Sequence, residues 1–380
     1  MMEFIFWLLF SLIVYVYFGY PLLLLILSKV RPAPLVKKDN ITPTVSLIIA
    51  AYNEEKAIAQ KIENSLSLDY PRKKLEIIIA SDGSTDRTNQ IVRTFYKQGV
   101  KLIVLDPNQG KSSAQNRGVK ESSGEILLFS DANVKLRPDA VCKIINNFND
   151  EKIGCVVGKV TYINEGDTAV SIAEGMYWQY ELFLRKRESV LGNLAMGSGP
   201  LMAIRRNLFQ PLDKNVGEDF VLPIKISMGE YRVIYEPYAI SEEMLFQNKP
   251  ISMLETKIRV ISKDLRGLFL CRAILNPFRY PLYAWGLISH KLLRWLVPYF
   301  LIVLFAVNVL LLEHLFYQVT FGVQISFYVL ALLGYLWQRK GKPPYILSIP
   351  FSFCLVNLAA LVGVALFLMG KKSGRWVPVR

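Results

Sequence analysis

The sequence predicts an α/β domain with a parallel sheet, joined to several membrane-spanning helices. Short apolar runs alternate with helical patterns four times between Val45 and Asp131, as in parallel strands that are linked by crossover helices. Several of these runs end in Asp or Asn. Outside this region, four long stretches contain no charged residue, and each is long enough to cross a bilayer as a helix.

The strands and helices of the domain follow from apolar periodicity and from turn residues. The predicted strands are Val45–Ala51, Leu75–Ala80, Val100–Leu105, Gly124–Leu128, Ile153–Val160 and Tyr231–Ile240. The predicted helices are Ala57–Leu68, Arg87–Gln98, Lys111 to about Glu121, Val170–Leu191 and Phe220–Met228. We expect the first four strands to form one parallel sheet.

The fourth strand leads into Ser130-Asp131-Ala132-Asn133. Asp131 and Asn133 are two residues apart, so their side chains point the same way along an extended chain. Open α/β sheets bind ligands at this carboxyl edge, and hard oxygen ligands suit Mg²⁺ or Mn²⁺. The sequence therefore predicts a metal site here. The alternative is an ordinary turn at the end of a strand.

The four uncharged stretches are predicted membrane segments: Phe4–Ser28, Trp295–Leu312, Leu315–Gln338 and Tyr345–Gly370. The formal net charge is +14, and much of the excess of Lys and Arg lies next to these stretches. This distribution is typical of membrane proteins that keep their basic residues on the cytoplasmic side. We therefore expect contact with membrane lipids and no binding of nucleic acid.

The chain is predicted to divide into six regions. Residues 1–28 are a transmembrane anchor, residues 29–43 a basic linker, and residues 44–250 a cytoplasmic domain. Residues 251–290 form amphipathic interfacial helices, residues 291–370 three transmembrane or re-entrant segments, and residues 371–380 a basic tail. Three spans after a cytoplasmic domain would place this tail outside the cell. Basic residues next to membrane spans usually lie on the cytoplasmic side, and the sequence leaves this conflict open.

Cysteine and histidine offer no obvious chemistry. The four cysteines contain no CxxC pair, so neither a zinc site nor a disulfide framework is predicted. His290 and His314 flank the second predicted span, and we expect both to have structural roles.

Five motifs occur in order along the domain: AAYNEE at 50–55, SDGSTD at 81–86, NQGKSSAQNRG at 108–118, SDAN at 130–133 and GED at 217–219. Together they resemble glycosyltransferase family 2, the membrane-associated inverting enzymes related to cellulose, chitin and hyaluronan synthases. The resemblance covers about residues 44–266. It implies a GT-A fold, a nucleotide-sugar donor that is most often UDP-linked, and a glycan or lipid-linked acceptor.

The resemblance also implies roles for individual residues. The residues expected at the nucleotide are Asn53, Glu54, Asp82, Lys111, Asp131 and Arg259. Asp131 and Asn133 would hold Mg²⁺ or Mn²⁺, and Asp219 stands at the position of the catalytic base. The residues expected at the acceptor are Gly197, Ser198, Gly199, Glu218 and Trp178. Because Asp219 opens a helix, it would need partial burial or the charge of Glu218 to raise its pKa.

The sequence departs from the family pattern at three places. Ser81 stands where many members have Asp, and Asn133 replaces the second Asp of the metal motif. The QxxRW box of processive synthases keeps only its arginine, Arg259. This arginine is predicted to bind the diphosphate, or else to face lipid. The missing tryptophan argues against long processive synthesis.

The predicted function is a membrane-bound inverting glycosyltransferase of cell-surface polysaccharide or glycolipid synthesis. Its donor would be UDP-glucose or UDP-N-acetylglucosamine, and its acceptor lipid-linked or a growing glycan. The alternatives are a processive synthase with an export partner, a transporter with a nucleotide-binding domain, and a non-catalytic scaffold. Uncharged spans argue against the transporter, and the presence of both Asp131 and Asp219 argues against the scaffold.

Overall fold

The structure, a computed structural model, describes residues 1–163, 169–192, 194–244, 250–337 and 344–371. Within these residues, one eight-stranded mixed sheet forms the centre of the domain, with the order β3-β2-β1-β4-β7-β6-β8-β5. Its strands are β1 (Val45–Ala51), β2 (Leu75–Asp82), β3 (Val100–Leu105), β4 (Ile126–Asp131), β5 (Val134–Leu136), β6 (Ile153–Ile163), β7 (Met202–Arg205) and β8 (Arg232–Met244). β3, β2, β1 and β4 are parallel to one another, as predicted.

The other half of the sheet contains antiparallel pairs of strands. β7 pairs antiparallel with both β4 and β6, and β5 pairs antiparallel with β8. Neither β5 nor β7 was predicted, because strands of three or four residues are too short to show an alternating pattern. β7 covers the edge of β4 that would otherwise leave unpaired backbone groups beside the buried core.

Six helices of the domain surround the sheet. They are α3 (Ile58–Leu66), α4 (Thr88–Arg93), α5 (Lys111–Lys120), α6 (Ala140–Ile145), α7 (Ala169–Val190) and α8 (Glu218–Met228). Leu127 and Phe129 of β4 belong to one buried apolar cluster, whereas Ile126 and Leu128 belong to another. The sheet is thus buried on both faces, as is usual where helices cover parallel strands.

Four helices within the described residues are long and apolar enough to cross a membrane. They are Met2–Val30, Pro281–Leu310, Leu315–Trp337 and Tyr345–Leu368. The first contains α1 (Met2–Val14) and α2 (Tyr20–Val30), and the second contains α10 (Pro281–Leu287) and α11 (Leu293–Leu310), each pair joined by a π-helical turn. The last two are α12 and α13, and α9 (Pro250–Leu270) leads from the domain towards them.

The second apolar helix begins earlier than predicted, so the boundary placed at residue 290 falls inside a continuous helix, Pro281–Leu310. This helix carries ionisable residues that pair with α7. His290 Nδ1 lies 2.7 Å from Glu188 Oε1, and Arg294 Nη1 donates to Glu181 Oε1 at 2.6 Å. Such pairing makes burial of these groups tolerable. His290 is buried in this network, and its structural role stays a prediction.

α13 packs along α9. Met253 of α9 clusters with Phe351 of α13, and further along the two helices Ser262 Oγ donates to the carbonyl oxygen of Gly363 at 3.2 Å. Residue numbers rise together along both helices, so the helices run parallel. The predicted interfacial helix α9 is therefore covered on one face by the last apolar helix.

We expect Lys371, at the end of α13, to lie on the same side of the membrane as the domain. The guanidinium of Arg266 on α9 donates to the carbonyl oxygen of Lys371. The end of α13 therefore lies next to α9, the helix that follows the domain in the chain. In sealed vesicles, Lys371→Cys should react with an impermeant maleimide from the same side as Lys73→Cys, which is exposed on the domain. The unmodified chain gives the background. Labelling from opposite sides would show that α13 crosses the membrane.

Candidate active site

Two side chains at the carboxyl edge of the sheet connect neighbouring loops. Asn53, which follows β1 and has φ 54°, accepts the backbone N–H of Thr85 at 2.8 Å through Oδ1. Asp82, at the end of β2, accepts the backbone N–H groups of Gln109 and Gly110 at 2.8 and 2.7 Å. Both predicted nucleotide-binding residues therefore shape the loops around one edge of the sheet.

Glu54 extends this arrangement through its backbone. Its N–H donates to Oγ1 of Thr88 at 2.8 Å, and its carbonyl oxygen accepts the N–H of Ile58 at 2.9 Å. The residue thus stands at the junction of the first loop and α3. Contact of Asn53, Glu54 and Asp82 with a nucleoside stays a prediction.

Lys111 lies at the centre of a charged cluster. Its Nζ is 2.5 Å from Oδ1 of Asp131 and 2.6 Å from Oε1 of Glu218, and Gln115 Nε2 donates to the same glutamate oxygen at 3.1 Å. Burial disfavours the ammonium ion, but the two carboxylates outweigh it and raise the pKa of Lys111. Burial likewise opposes ionisation of Glu218, but Lys111 holds the pKa of that carboxyl below its usual value. The cluster is thus ionised.

Asp219 is the second residue of α8, after the N-cap Gly217. Its carbonyl oxygen accepts the N–H of Gly197 at 2.7 Å, which fixes the start of α8 against the loop before β7. Burial and the charge of Glu218 raise the pKa of Asp219 to about 6. These two causes outweigh the helix N-terminus, which favours the anion. A carboxylate with this pKa is suited to accept a proton near neutral pH.

Asp264 of α9 is a second carboxyl group beside Asp219. A Cβ atom at Gly217 would lie 2.9 Å from Oδ1 of Asp219 and 3.4 Å from Oδ1 of Asp264. Burial and the charge of Asp219 raise the pKa of Asp264 well above its usual value, so Asp264 keeps its proton when Asp219 is ionised. No sequence motif pointed to Asp264, because only the packing of α9 brings this residue to α8.

Two cations of α9 lie near the cluster. Arg259 and Lys263 are four residues apart, so they share one face of the helix. Burial, and then the charge of Arg259, lower the pKa of Lys263, whereas Glu218 and Asp219 act in the opposite direction. Arg259 is therefore close to Lys263, and its contact with a diphosphate stays a prediction. Lys263 was not among the site residues predicted from the sequence.

The predicted acceptor loop Gly197–Gly199 lies directly beside the charged groups. A Cβ atom at Gly199 would lie 3.2 Å from Nζ of Lys111 and 3.6 Å from Oδ2 of Asp131. A Cβ atom at Gly197 would lie 2.7 Å from the carbonyl oxygen of Asp219. Ser198 between them is buried. The two glycines thus leave space at the cluster that any side chain would fill.

Trp178 lies apart from this loop, on α7. Its Nε1 donates to the carbonyl oxygen of Val160 at 2.9 Å, and the guanidinium of Arg185 lies 5.1 Å from its ring centroid. Trp178 lines a cavity of about 600 Å³ whose wall also includes Asp264. Glu218, also predicted to bind the acceptor, instead pairs with Lys111 in this structure.

The predicted metal ligands offer a small set of oxygen donors. Asp131 ends β4, and Nδ2 of Asn133 donates to Oε1 of Glu243 at 3.3 Å. No group of three or more His, Cys, Asp or Glu side chains converges on a metal position within the described residues. The ammonium of Lys111, 2.5 Å from Asp131, shows that this edge accommodates positive charge. The donor set fits Mg²⁺ or Mn²⁺ that takes its other ligands from water and phosphate.

Residues 46–212, which contain β1 to β7 and the first four motifs, match the model of "Glycosyl transferase family 2". This part of the chain is therefore similar to members of that family. The prediction from the five motifs is thereby confirmed at the level of the family.

The fold of the chain matches a solved structure over almost its whole length. The mannosyltransferase PcManGT from Pyrobaculum calidifontis, in complex with GDP-Man and Mn²⁺, is similar with a TM-score of 0.74. The match covers 98% of this chain and 100% of that one at 22% sequence identity. The predicted GT-A fold with flanking apolar helices is therefore confirmed.

Named relatives share part of the chain. The probable glycosyltransferase YdaM of Bacillus subtilis is 33% identical over 223 residues, which are 53% of this chain and 50% of the relative. The poly-beta-1,6-N-acetyl-D-glucosamine synthase of Staphylococcus epidermidis is 29% identical over 202 residues, 52% of this chain and 48% of the relative. The N-acetylglucosaminyltransferase of Rhizobium meliloti is 29% identical over 257 residues, 62% of this chain and 60% of the relative. The chain thus spans about half the length of the curated relatives it matches.

Nucleotide release should depend on the protonation of Asp219. Because a base must first lose its proton, kcat/KM should rise with pH through about 6 and then level off. Asp219→Asn should lower the rate roughly 10²–10⁴-fold. Asp139→Asn, which changes an exposed aspartate at the start of α6, should leave both the rate and the profile unchanged. A flat profile between pH 5 and 8 would contradict the role of Asp219.

Gly197→Ala should lower kcat by about a hundredfold, because a displacement of about 1 Å at a reacting group costs that much. The new methyl group would press on the carbonyl oxygen of Asp219 at 2.7 Å and on Sδ of Met202 at 2.8 Å. Gly175→Ala is the matched control, since no described atom lies within 4 Å of its Cβ position. Equal activity of the two variants would show that the start of α8 has room to move.

Proposed function

We propose that the chain is a membrane-bound inverting glycosyltransferase with Asp219 as its general base. It transfers a sugar from a nucleotide-diphosphate sugar to a hydroxyl group of a lipid-linked or growing glycan acceptor. The observation that carries the proposal is the position of Asp219. This carboxyl group, with a pKa of about 6, directly follows Glu218, which belongs to the ionised cluster with Lys111 and Asp131.

The donor diphosphate is bound by the cations around this cluster. Lys111 opens α5, where backbone N–H groups also favour an anion, and Arg259 with Lys263 approach from α9. These three residues neutralise the charge that develops on the leaving diphosphate. Asn53, Glu54 and Asp82 hold the nucleoside at the neighbouring loops. Two relatives are named for N-acetylglucosamine, so UDP-N-acetylglucosamine is the first donor to test, followed by UDP-glucose.

The transfer follows from the positions of the base and the cations. The acceptor oxygen forms a bond to C1 of the sugar on the face opposite the diphosphate. The bond from C1 to the diphosphate oxygen breaks, and its electron pair leaves with the diphosphate. The hydroxyl proton passes to the carboxylate of Asp219. Alignment of the bound reactants contributes about 7–11 kcal/mol to such a step.

Asp264 is the second carboxyl group beside Asp219. Burial and the charge of Asp219 raise the pKa of Asp264 well above its usual value, so we assign the role of base to Asp219, whose pKa is about 6. The loop Gly197–Gly199 contacts the start of α8, and we assign it to the acceptor.

Asp131 and Asn133 would hold the metal. Mg²⁺ or Mn²⁺, when bound, acts as a Lewis acid on the leaving phosphate. The protein contributes few ligands, so metal affinity should depend on the donor. The solved neighbour that contains Mn²⁺ makes both metals reasonable choices for an assay.

We infer that few sugars are added at each encounter. Val260 stands after Arg259 where processive synthases have tryptophan, and its side chain is exposed. The platform on which a growing glycan could stack is therefore missing at this position. Long processive synthesis would need an export partner that supplies such a stacking platform. We place the domain at the cytoplasmic face of the cell membrane, where nucleotide sugars are available.

Purified protein in lipid nanodiscs, with Mn²⁺ or Mg²⁺, should release nucleotide from one member of a panel of UDP-, GDP- and dTDP-sugars. We expect release of UDP from UDP-N-acetylglucosamine, its loss in Asp219→Asn, and retention in Asp139→Asn. A panel with no release, although UDP binds in calorimetry, would support a non-catalytic nucleotide-binding protein instead.

A further inference from the structure

Asn133 stands where the metal motif of related enzymes has a second Asp, and an amide is not equivalent to a carboxylate at such a position. An Asn side chain has one oxygen, which accepts hydrogen bonds, and one NH₂ group, which only donates them. Only the oxygen suits Mg²⁺ or Mn²⁺. The two ends exchange places when the amide turns by 180°. A metal site that contains Asn133 therefore needs a contact that fixes which end of the amide is available.

Lys61, with a relative exposure of 3%, holds the two ends of the turn that contains Asn133. Its Nζ donates to Oγ of Ser130 at 2.8 Å and to the carbonyl oxygen of Val134 at 2.7 Å. Oγ of Ser130 in turn donates to the carbonyl oxygen of Pro200 at 2.9 Å. These contacts flank Asn133 in the chain, and none of them involves its amide. They position the turn but leave the orientation of the amide open.

Glu243 of β8 reaches this amide from the neighbouring strand. In the antiparallel pair of β5 and β8, Glu243 is the partner of Val134, so the register of the sheet places it next to Asn133. Nδ2 of Asn133 donates to Oε1 of Glu243 at 3.3 Å. This hydrogen bond uses the NH₂ end of the amide, and Oδ1 of Asn133 is therefore turned away from Glu243.

The chemistry of the two side chains favours this orientation of the amide. An ionised carboxylate accepts hydrogen bonds but donates none. If the amide turned by 180°, Oδ1 of Asn133 would face Oε1 of Glu243, and two acceptors would lie together without a proton between them. Hydrogen bonds to an ionised group are also roughly twice as strong as those between neutral groups. A partner of this kind orients a metal ligand and raises its basicity.

We propose that Glu243 is a positioning residue of the metal site, which holds the amide of Asn133 so that its oxygen is available to Mg²⁺ or Mn²⁺. The pair compensates for the missing second Asp, because an amide in a fixed orientation offers an oxygen as a carboxylate would. The inference concerns the metal site of the proposed function and rests on that function.

The test measures binding of Mn²⁺ to the full protein in nanodiscs with UDP, from the electron paramagnetic resonance signal of unbound Mn²⁺. Glu243→Met removes the charge and the acceptor, and it should weaken Mn²⁺ binding at least roughly tenfold. Glu243→Gln removes the same charge but keeps an acceptor oxygen, so its loss should be smaller. An affinity like that of the wild type in Glu243→Met would overturn the inference. Equal losses in the two variants would assign the effect to charge and overturn the positioning role.

Glu242 provides the matched control. It directly precedes Glu243, so its side chain points to the opposite face of β8, where Oε1 lies 3.0 Å from Nε of Arg137. Glu242→Met should leave the affinity for Mn²⁺ unchanged. A loss as large as that of Glu243→Met would show that the effect is not specific to the contact with Asn133, and it would contradict the proposal.

A second background separates orientation from charge and from folding. In Asn133→Asp, either oxygen of the new carboxylate suits a cation, so orientation no longer matters. Adding Glu243→Met to this background should cost no Mn²⁺ affinity, and a tenfold loss there would overturn the inference. Affinity for UDP without metal should stay that of the wild type in every variant, which reports a folded nucleotide site. If Glu243→Met does not fold, the loss caused by Glu243→Gln should likewise disappear in the Asn133→Asp background.

Binding of Mn²⁺ and release of nucleotide separate this inference from the proposed function. Release of UDP from a donor, with a Mn²⁺ affinity that does not depend on Glu243, would mean that the positioning role is wrong and the transferase proposal stands. A Mn²⁺ affinity that depends on Glu243, without release from any donor, would mean that the positioning role stands and the transferase proposal is wrong.

Discussion

The ion pairs of Lys111 with Asp131 and Glu218 are the interaction on which the site depends. They join the first turn of α5, the end of β4 and the start of α8 at distances of 2.5 and 2.6 Å. Because Asp219 directly follows Glu218, the same pairs position the proposed base. They also keep Glu218 ionised, and its charge helps to raise the pKa of Asp219. One lysine thus sets both the geometry and the electrostatics of the base.

α9 couples the domain to the apolar helices. One part of this helix brings Lys263 and Asp264 near Glu218 and Asp219, and another part packs along α13. Gly363 makes the close approach possible, since a Cβ atom there would lie 3.0 Å from Cγ2 of Ile261. The cavity lined by Trp178 and Asp264 lies where these elements meet. Changes in the packing of α13 are therefore transmitted directly to groups beside the base.

The buried network of Glu181, Glu188, His290 and Arg294 holds α7 against the second apolar helix. Tyr20 of the first apolar helix also donates to Glu188 at 2.8 Å. Ionisable groups are rarely buried unless they are paired, and these contacts provide the pairing. The network thereby holds the helix that carries Arg185 and Trp178 against the second apolar helix.

The sequence by itself determined the parallel half of the sheet, the apolar helices, the family, and the positions of Asp131 and Asp219. These features are local, because apolar periodicity and the motifs at strand ends depend only on residues that are close together in the sequence. Only the tertiary structure decided the antiparallel β7, the pairing of Lys111, and the approach of Lys263 and Asp264 to Asp219. Each of these depends on contacts between residues far apart in the chain, and neither spacing nor composition records which side chains such contacts bring together.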